Sequence, residues 1–262
     1  MEGSHSVTVN VLGTLGTVLW CIQLVPQIWL NWRRKKTEGL PAAMMFLWAL
    51  CGVPFGIYMI LQEVNIPLQV QPQVFTLLCL ISWAQTLYYN SKYSKTMAVA
   101  IATVSGALMG GTEVLFILAL RVPYRQGTTW PALVFGIIAG ILLVLGLVPA
   151  YLELWKRDGR VIGISWIFLS IDSLGALFSL LALAAEGTFD VLGGVLYITL
   201  LVLELGIMTS HIIWRARNRN LLGEARSKGL SVDELLDGRR PARPARPASD
   251  EEDGHIPAKS QS

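Results

Sequence analysis

Long apolar segments, separated by short polar ones, run along most of the chain. A helix needs about 20 apolar residues to cross the roughly 30 Å hydrocarbon core of a bilayer. Seven segments have about that length or more, at residues 8–30, 42–61, 70–90, 97–120, 130–154, 164–185 and 189–213. The segments of about ten residues with alternating polarity that form membrane β-strands do not occur. The pattern therefore predicts an all-α membrane protein with seven transmembrane helices.

The amino-acid composition agrees with a membrane protein and excludes other classes of protein. Of the 262 residues, 53% are hydrophobic and 15% are charged, whereas a soluble domain carries about 25% charged residues. Cys21, Cys51 and Cys79 lie within apolar segments and offer neither a disulfide framework nor metal-ligand spacing. The P-loop and HExxH patterns are absent as well. The sequence thus excludes a soluble enzyme or a nucleic-acid-binding protein, and it predicts no cofactor.

Lysine and arginine residues predict how the chain is oriented in the membrane. One side of the predicted spans carries only Arg121 and Arg125. The other side carries twelve basic residues: Arg33, Arg34, Lys35, Lys36, Lys92, Lys95, Lys156, Arg157, Arg160, Arg215, Arg217 and Arg219. Because loops rich in Lys and Arg stay in the cytosol, we expect a lumenal amino terminus and a cytosolic carboxyl terminus.

The last part of the chain, residues 215–262, differs sharply in composition. Proline alternates with arginine there before an acidic run, and apolar periodicity is lost apart from a short amphipathic turn at 230–236. Such segments bury too little apolar surface to fold alone. We therefore predict a disordered cytosolic tail, which leaves room for cytosolic partners.

A segment near the amino terminus recurs weakly in the second half. LVPQIWLNWRRKKTEGLP around Pro26 is matched by LVPAYLELWKRDGRVIGIS around Pro149, 123 residues later, and Gly39 is matched by Gly163 after a one-residue insertion. Parallel repeats of this kind occur among transporters, with the substrate path at the repeat interface. The repeat predicts a first three-helix unit (1–90), a linker helix region (91–129), a second three-helix unit (130–214) and the tail (215–262).

The two matched prolines lie about one turn from the basic end of a predicted helix. Pro26 and Pro149 lack an N–H and crowd the carbonyl four residues back, at Ile22 and Leu145, which loosens the helix there. Two such points at equivalent places are candidate hinges of a rocking movement. A static kink that helps packing is the alternative interpretation.

Acidic residues inside the spans are candidates for chemistry, because a carboxylate at bilayer depth costs about 2.5–3.5 kcal/mol on insertion scales. Asp172 stands among apolar neighbours without a nearby basic residue, so it is the leading candidate for proton coupling; a hydrogen bond across a helix interface is the alternative. Glu204 lies in the last span and is the second candidate. Glu153 precedes two basic residues by three and four positions, which predicts ion pairing. Glu113 lies in the linker span, and for this residue a functional role and a hydrogen-bonded packing role are both open.

Amide side chains form a second polar group. Gln23, Gln27 and Asn31 recur every four residues along one face of the first span, and Gln85 lies near the end of the third. We predict that this face points to the protein interior, where the amides contact a substrate or form hydrogen bonds between helices.

The motif Pro26-Gln27, the basic loop after it and Glu38-Gly39-Leu40, within three, one and three spans, resemble the PQ-loop repeat family. That family includes cystinosin, the vacuolar amino-acid exporters and the SWEET sugar carriers, and the resemblance covers about residues 8–215. It implies a transporter in which Gln27 belongs to the motif. The segment LSIDSLGALFSLL is similar to the cystinosin-type stretch, which implies that Asp172 carries the coupled proton. In the second copy Ala150 replaces the motif glutamine.

The leading functional hypothesis is a secondary transporter of a vacuolar or lysosomal type of membrane. It moves a small solute, an amino acid or derivative by resemblance, and couples this movement to protons. Cationic amino-acid exporters of the family carry a Gly-Asp pair in the second span, whereas here Gly52 is followed by Val53, so a neutral or zwitterionic solute is favoured. A SWEET-like facilitative sugar carrier and a membrane cargo receptor or signalling scaffold are the alternatives.

Overall fold

The computed structural model describes residues 2–63, 66–90, 93–185 and 191–239, and within these ranges the secondary structure is helical, without a β-strand. This confirms the all-α prediction. In chain order the helices are α1 (Glu2–Ile22), α2 (Val25–Arg34), α3 (Ala42–Leu61), α4 (Ile66–Tyr89), α5 (Lys95–Arg125), α6 (Trp130–Lys156), α7 (Trp166–Ala185), α8 (Val191–Arg217), α9 (Arg219–Ser227) and α10 (Val232–Arg239).

Six segments among the described residues are long and apolar enough to cross a membrane. They are Val7–Arg34, Ala42–Leu61, Lys95–Arg125, Trp130–Lys156, Trp166–Ala185 and Gly194–Arg217. The predicted third span corresponds to α4, which is 24 residues long but is not one of the six, because its glutamine and tyrosine side chains lower its mean hydropathy. The membrane class of the protein is thus confirmed with six candidate spans.

The first span is interrupted immediately before Pro26. Helix α1 ends at Ile22 and α2 begins at Val25, with Pro26 in its first turn. Ile22 is the residue whose carbonyl a helical Pro26 would crowd, so the interruption lies where the proline chemistry predicts it. The equivalent proline behaves differently, because α6 continues without a break through Pro149.

The indole of Trp48 on α3 joins several helices at the centre of the bundle. It is fully buried, its ring centroid lies 5.8 Å from those of Phe75 on α4 and Phe168 on α7, and its Nε1 donates to the Leu143 carbonyl on α6 at 3.0 Å. Gly146 makes this approach possible, because a Cβ at that position would overlap the indole ring. The two halves of the chain therefore share one core.

Helix α5, the predicted linker, packs against the first half of the chain. It lies mainly along α3 and α4, while α1 packs on α7 and α3 packs on α6. The carboxyl group of Glu113 on α5 accepts a hydrogen bond from Gln73 on α4, and Gly56 on α3 leaves the space that this pair fills. Glu113 thus fastens the linker helix to its neighbours.

The chain beyond residue 216 forms a separate unit, and part of it departs from the predicted disorder. Helices α9 and α10 occupy Arg219–Ser227 and Val232–Arg239, so the prediction is wrong for these residues, while 240–262 lie outside the described residues. For α10 the physical reason is local: Ser231 and Glu234 form a reciprocal capping box, with Ser231 N to Glu234 Oε2 at 2.7 Å and Glu234 N to Ser231 Oγ at 3.2 Å.

Candidate functional site

Asp172 on α7 and Glu204 on α8 are buried side by side within the helical bundle. Their side chains belong to residues that are 3% and 0% exposed, and the two carboxyl groups are close enough to interact directly. Because a carboxylate offers only acceptors, a hydrogen bond between two carboxyl groups needs a proton on one of them. The geometry therefore suits a pair of acids that share a proton.

Few other donors reach Glu204. The Ser173 hydroxyl, next to Asp172 on α7, donates to Glu204 Oε2 at 2.6 Å. Within the described residues, Glu204 Oε1 lacks a conventional N–H or O–H partner, which leaves the Asp172 carboxyl group as its neighbour. No described Lys or Arg forms an ion pair with either acid. A proton on the pair is therefore the available means of reducing its charge.

Two side chains near the end of α1 reach Asp172. Gln23 lies in the gap between α1 and α2 and, with its amide nitrogen turned to the acid, donates to both carboxyl oxygens, with a distance of 3.1 Å to Oδ2. Trp20 donates from Nε1 to the Asp172 backbone carbonyl at 3.2 Å. Gly175, nearly one turn further along α7, leaves room for this indole.

A cavity of about 120 Å³ lies against Asp172. Gln23, Gln71 and Asp172 contribute polar groups to its wall, which is otherwise largely apolar and aromatic, with Trp20, Cys51, Phe55, Tyr58, Phe75 and Tyr197. Its residues come late in α3 and early in α6 and α8, so it extends from Asp172 toward the end of the bundle opposite the Arg33–Lys36 and Lys156–Arg160 loops. No described residue of α5 lines it.

Gln27 of the PQ motif joins the first span to the loop before α7, at the basic end of the bundle. Its Oε1 accepts from the Ser165 backbone N–H at 2.6 Å, and its Nε2 donates to the Gly163 carbonyl and to Asn31 Oδ1, both at 2.8 Å. The Gln27 side chain thus forms hydrogen bonds with a backbone N–H and a backbone carbonyl of the loop before α7. Asn31 extends the contact to α4 through Gln85, at 2.9 Å.

Gly39 and Gly163, which the repeat matches to each other, lie in contact at this end and complete its closure. Both have positive φ angles, 83° and 78°, a conformation that favours glycine. A Cβ on Gly163 would overlap the Glu38 carbonyl, and one on Gly39 would overlap the Ile162 carbonyl. Glu38 also pairs with Arg157 at 3.5 Å. The two motif loops therefore hold the basic end of the bundle shut.

The structure distributes the predicted residues over three places. Asp172, Glu204 and Gln23 form the acid site, whereas Gln27, Asn31 and Gln85 are hydrogen-bonded in the closure and do not line the cavity. Glu153 pairs with Lys156 at 3.0 Å and Arg157 at 3.4 Å, which confirms its predicted ion pairing.

Sequence reasoning missed three residues of the site: Trp20, Gln71 and Ser173. Trp20 lies three residues before Gln23, on the same face of the first span, and this spacing was the available signal for it. Ser173 adjoins Asp172, but its contact with Glu204 depends on how α7 packs against α8 and has no sequence signal.

Comparisons with known proteins show the family. The PQ loop repeat pattern matches residues 8–68, which hold Pro26, Gln27 and Gly39. The chain is 46% identical over 228 residues to the uncharacterized membrane protein YDR090C of Saccharomyces cerevisiae, covering 86% of this chain and 71% of the relative. It is 36% identical over 220 residues to the uncharacterized protein C2E12.03c of Schizosaccharomyces pombe, covering 83% and 77%. The chain belongs to the PQ-loop repeat family of membrane proteins.

Proposed function

We propose that this protein is a proton-coupled secondary transporter of a small solute in an organelle membrane. The observation that carries the proposal is the buried pair of Asp172 and Glu204 beside a cavity between the two halves. A proton on the pair removes charge that burial in a membrane makes costly. Loss of that proton to the opposite side, after the bundle rearranges, then couples proton movement to solute movement.

A closed basic end supports alternating access. Gln27, Gly39 and Gly163 seal the side that we assign to the cytosol, and the cavity lies toward the side that we assign to the lumen. Opening the seal while the lumenal side closes exposes the same cavity to the cytosol. Pro26 and Pro149 serve as the hinges, and Pro26 already interrupts its helix in this conformation.

The seven-helix arrangement of three, one and three spans is part of the proposal. Helices α6, α7 and α8 begin at residues 130, 166 and 191, while α3 and α4 begin at 42 and 66, close to the repeat offset of 123 residues. Under this proposal α4 crosses the membrane despite its glutamines, since its 24 residues span about 36 Å. The amino terminus then faces the lumen and the carboxyl terminus faces the cytosol.

The wall of the cavity favours a neutral or zwitterionic solute. Among the described residues, Asp172 is the one acidic residue that lines it, and no lysine or arginine does. Gln23 and Gln71 offer amide donors and acceptors, while Trp20 and Phe75 offer apolar surface. An amino acid or a derivative, held by the amides and by the acid pair, fits these groups. By family resemblance, the membrane in this proposal is of a vacuolar or lysosomal type.

Uptake into proteoliposomes tests this function. The full-length protein is reconstituted with a pH gradient, and the uptake of radiolabelled zwitterionic amino acids is compared with that of lysine and glucose. We expect proton-driven uptake of a zwitterionic amino acid. The Asp172→Asn variant loses the pH-driven component and keeps solute exchange, because asparagine imitates the protonated acid and does not titrate.

The Glu153→Gln variant is the matched control, because Glu153 is ion-paired at the helix end away from the cavity. We expect it to behave as the wild type does. Undiminished pH-driven uptake in Asp172→Asn contradicts the proton role. Glucose uptake that ignores the gradient favours a facilitative sugar carrier instead.

A further inference from the structure

A second cavity, separate from the acid site, forms a groove on the outer side of the bundle between α4 and α5. Its volume is about 940 Å³. Exposed apolar side chains of both helices line it, among them Leu77, Ile81 and Val99, which are 58%, 40% and 52% exposed. Because α5 is a candidate membrane span, this groove faces the lipid, and lipid chains are the material that such an apolar wall contacts.

The groove has a polar end and an apolar end. At the basic end of the bundle its wall contains Trp32, Lys35, Tyr88, Tyr89 and Lys95, and further into the membrane it contains Leu77, Leu80, Val99, Ala102 and Gly106. This order follows the helices, because α4 ends at Tyr89 and α5 begins at Lys95. Such a change from cationic and aromatic to aliphatic residues matches the order of groups in a membrane lipid.

The length of the groove also matches one lipid leaflet. From Lys95 to Gly106 helix α5 rises by about 16 Å, and half of the hydrocarbon core of a bilayer is about 15 Å thick. A single acyl chain that starts at the level of Lys95 therefore reaches the apolar end near Gly106.

The charge of the polar end is positive and uncompensated within the groove. Lys35 and Lys95 both line it, and no described carboxylate does. The Lys35 ammonium lies 4.5 Å from the ring centroid of Trp32, which orients it at the headgroup level, where indoles are favoured. A phosphodiester between the two lysines carries one negative charge and offers non-bridging oxygens that accept hydrogen bonds from both ammonium groups.

We propose that this groove binds an anionic glycerophospholipid of the adjacent leaflet. The headgroup phosphate lies between Lys35 and Lys95, and one acyl chain follows the aliphatic wall between α4 and α5. Gln85 links the groove to the closure, because it lines the groove and also donates to the Ile28 carbonyl at 3.1 Å and accepts from Asn31. A bound lipid therefore supports the closed basic end. The binding site stands whether or not the protein is a transporter.

Thermal stability of the purified full-length protein measures this binding. The protein in neutral detergent is titrated with phosphatidylserine, with phosphatidylcholine of the same chains and with the soluble headgroup glycerophosphoserine. We expect phosphatidylserine to raise Tm more than the other two do, because a ligand that binds the folded state stabilises it. An equal rise with phosphatidylcholine or with the free headgroup overturns the proposal.

Charge variants locate the headgroup. Lys35→Gln combined with Lys95→Gln lowers the apparent affinity for phosphatidylserine by about 25-fold, since each lysine near an anionic surface contributes roughly fivefold. Arg215→Gln combined with Arg217→Gln removes the same charge from α8, which contributes no described residue to the groove, and leaves the affinity within about twofold, because charges more than a Debye length from the site are screened. Equal losses of affinity in the two double variants show that the lipid is attracted by the overall positive charge, and they overturn the proposed headgroup site.

Size variants locate the acyl chain. Thr103→Trp fills the apolar part of the groove and removes most of the Tm rise that phosphatidylserine causes. Thr112→Trp adds the same side chain on α5 at an exposed position outside the groove and keeps the rise. A full rise in Thr103→Trp contradicts the proposed path of the chain.

Discussion

The contact between Gly39 and Gly163 shows how single residues set the state of the basic end. Each glycine lies against the backbone of the other motif loop, so neither position tolerates a side chain while the loops touch. The weak internal repeat pairs the same two residues. The two glycines that the repeat matches thus lie in loops that contact each other, and the absence of a Cβ on each permits this contact.

We predict that Gly163→Ala opens the basic end. A positive φ costs an alanine about 1–2 kcal/mol, and the overlap with the Glu38 carbonyl adds roughly 1–3 kcal/mol. Opening the closure relieves the second cost. The measurement is the rate at which a membrane-impermeant maleimide labels an Ile164→Cys reporter in a background without native cysteines, and we expect that rate to rise.

Gly127→Ala is the control for this substitution. Gly127 also has a positive φ, 95°, but nothing lies within 4 Å of its Cβ position, so the variant keeps the backbone strain and lacks the overlap. We expect it to lose stability without faster labelling. If both variants label at the wild-type rate, the contact between the loops does not hold the end shut.

At the scale of the helices, the two repeat prolines have different surroundings. The first span is interrupted between Ile22 and Val25, and the gap carries Gln23 to Asp172. Helix α6 absorbs Pro149 without a break. A proline inside a helix removes one hydrogen bond in both cases, so packing around each proline decides whether the helix parts.

We predict unequal effects of Pro26→Ala and Pro149→Ala. Pro26→Ala restores an N–H that can bond the Ile22 carbonyl, closes the gap and withdraws Gln23 from Asp172, so solute uptake falls strongly. Pro149→Ala leaves a helix that is already continuous and relieves up to about 3 kcal/mol of proline cost, so Tm rises and uptake changes less. Uptake and Tm of the two purified variants are compared with the wild type, and equal losses of uptake contradict the unequal roles.

At the scale of the whole molecule, the side on which each loop lies depends on whether α4 crosses the membrane. Its length permits a crossing, and its hydropathy alone does not select it. The twelve basic residues give one consistent cytosolic side only if α4 crosses. If α4 does not cross, the loops before and after it lie on the same side of the membrane.

Cysteine labelling decides this topology. In a background without native cysteines, Gln62→Cys, Tyr93→Cys and Gln126→Cys place reporters before α4, after α4 and after α5. We expect an impermeant maleimide in intact organelles to label Tyr93→Cys only, since the other two lie in the lumen. Labelling of Gln62→Cys and Tyr93→Cys from the same side shows that α4 does not cross.

Several features follow from sequence pattern alone, because each depends on residues that are close together in the chain. Apolar length predicts the helices, and proline chemistry predicts the interruption at Ile22. The spacing of Glu153 predicts its ion pairs. The capping box at Ser231 is equally local, but the composition of residues 215–262 outweighed it in the prediction.

The acid pair, the cavity and the closure depend on packing between distant segments. Nothing in the sequence around Asp172 specifies that α8 brings Glu204 to it. Nor does the sequence specify that the Gln27 side chain hydrogen-bonds to Gly163, 136 residues away. Buried polar groups must find partners, but which partners they find depends on how the helices pack. Local chemistry therefore determined the elements and the kinds of residues that need burial, and only the tertiary structure decided which of those residues meet.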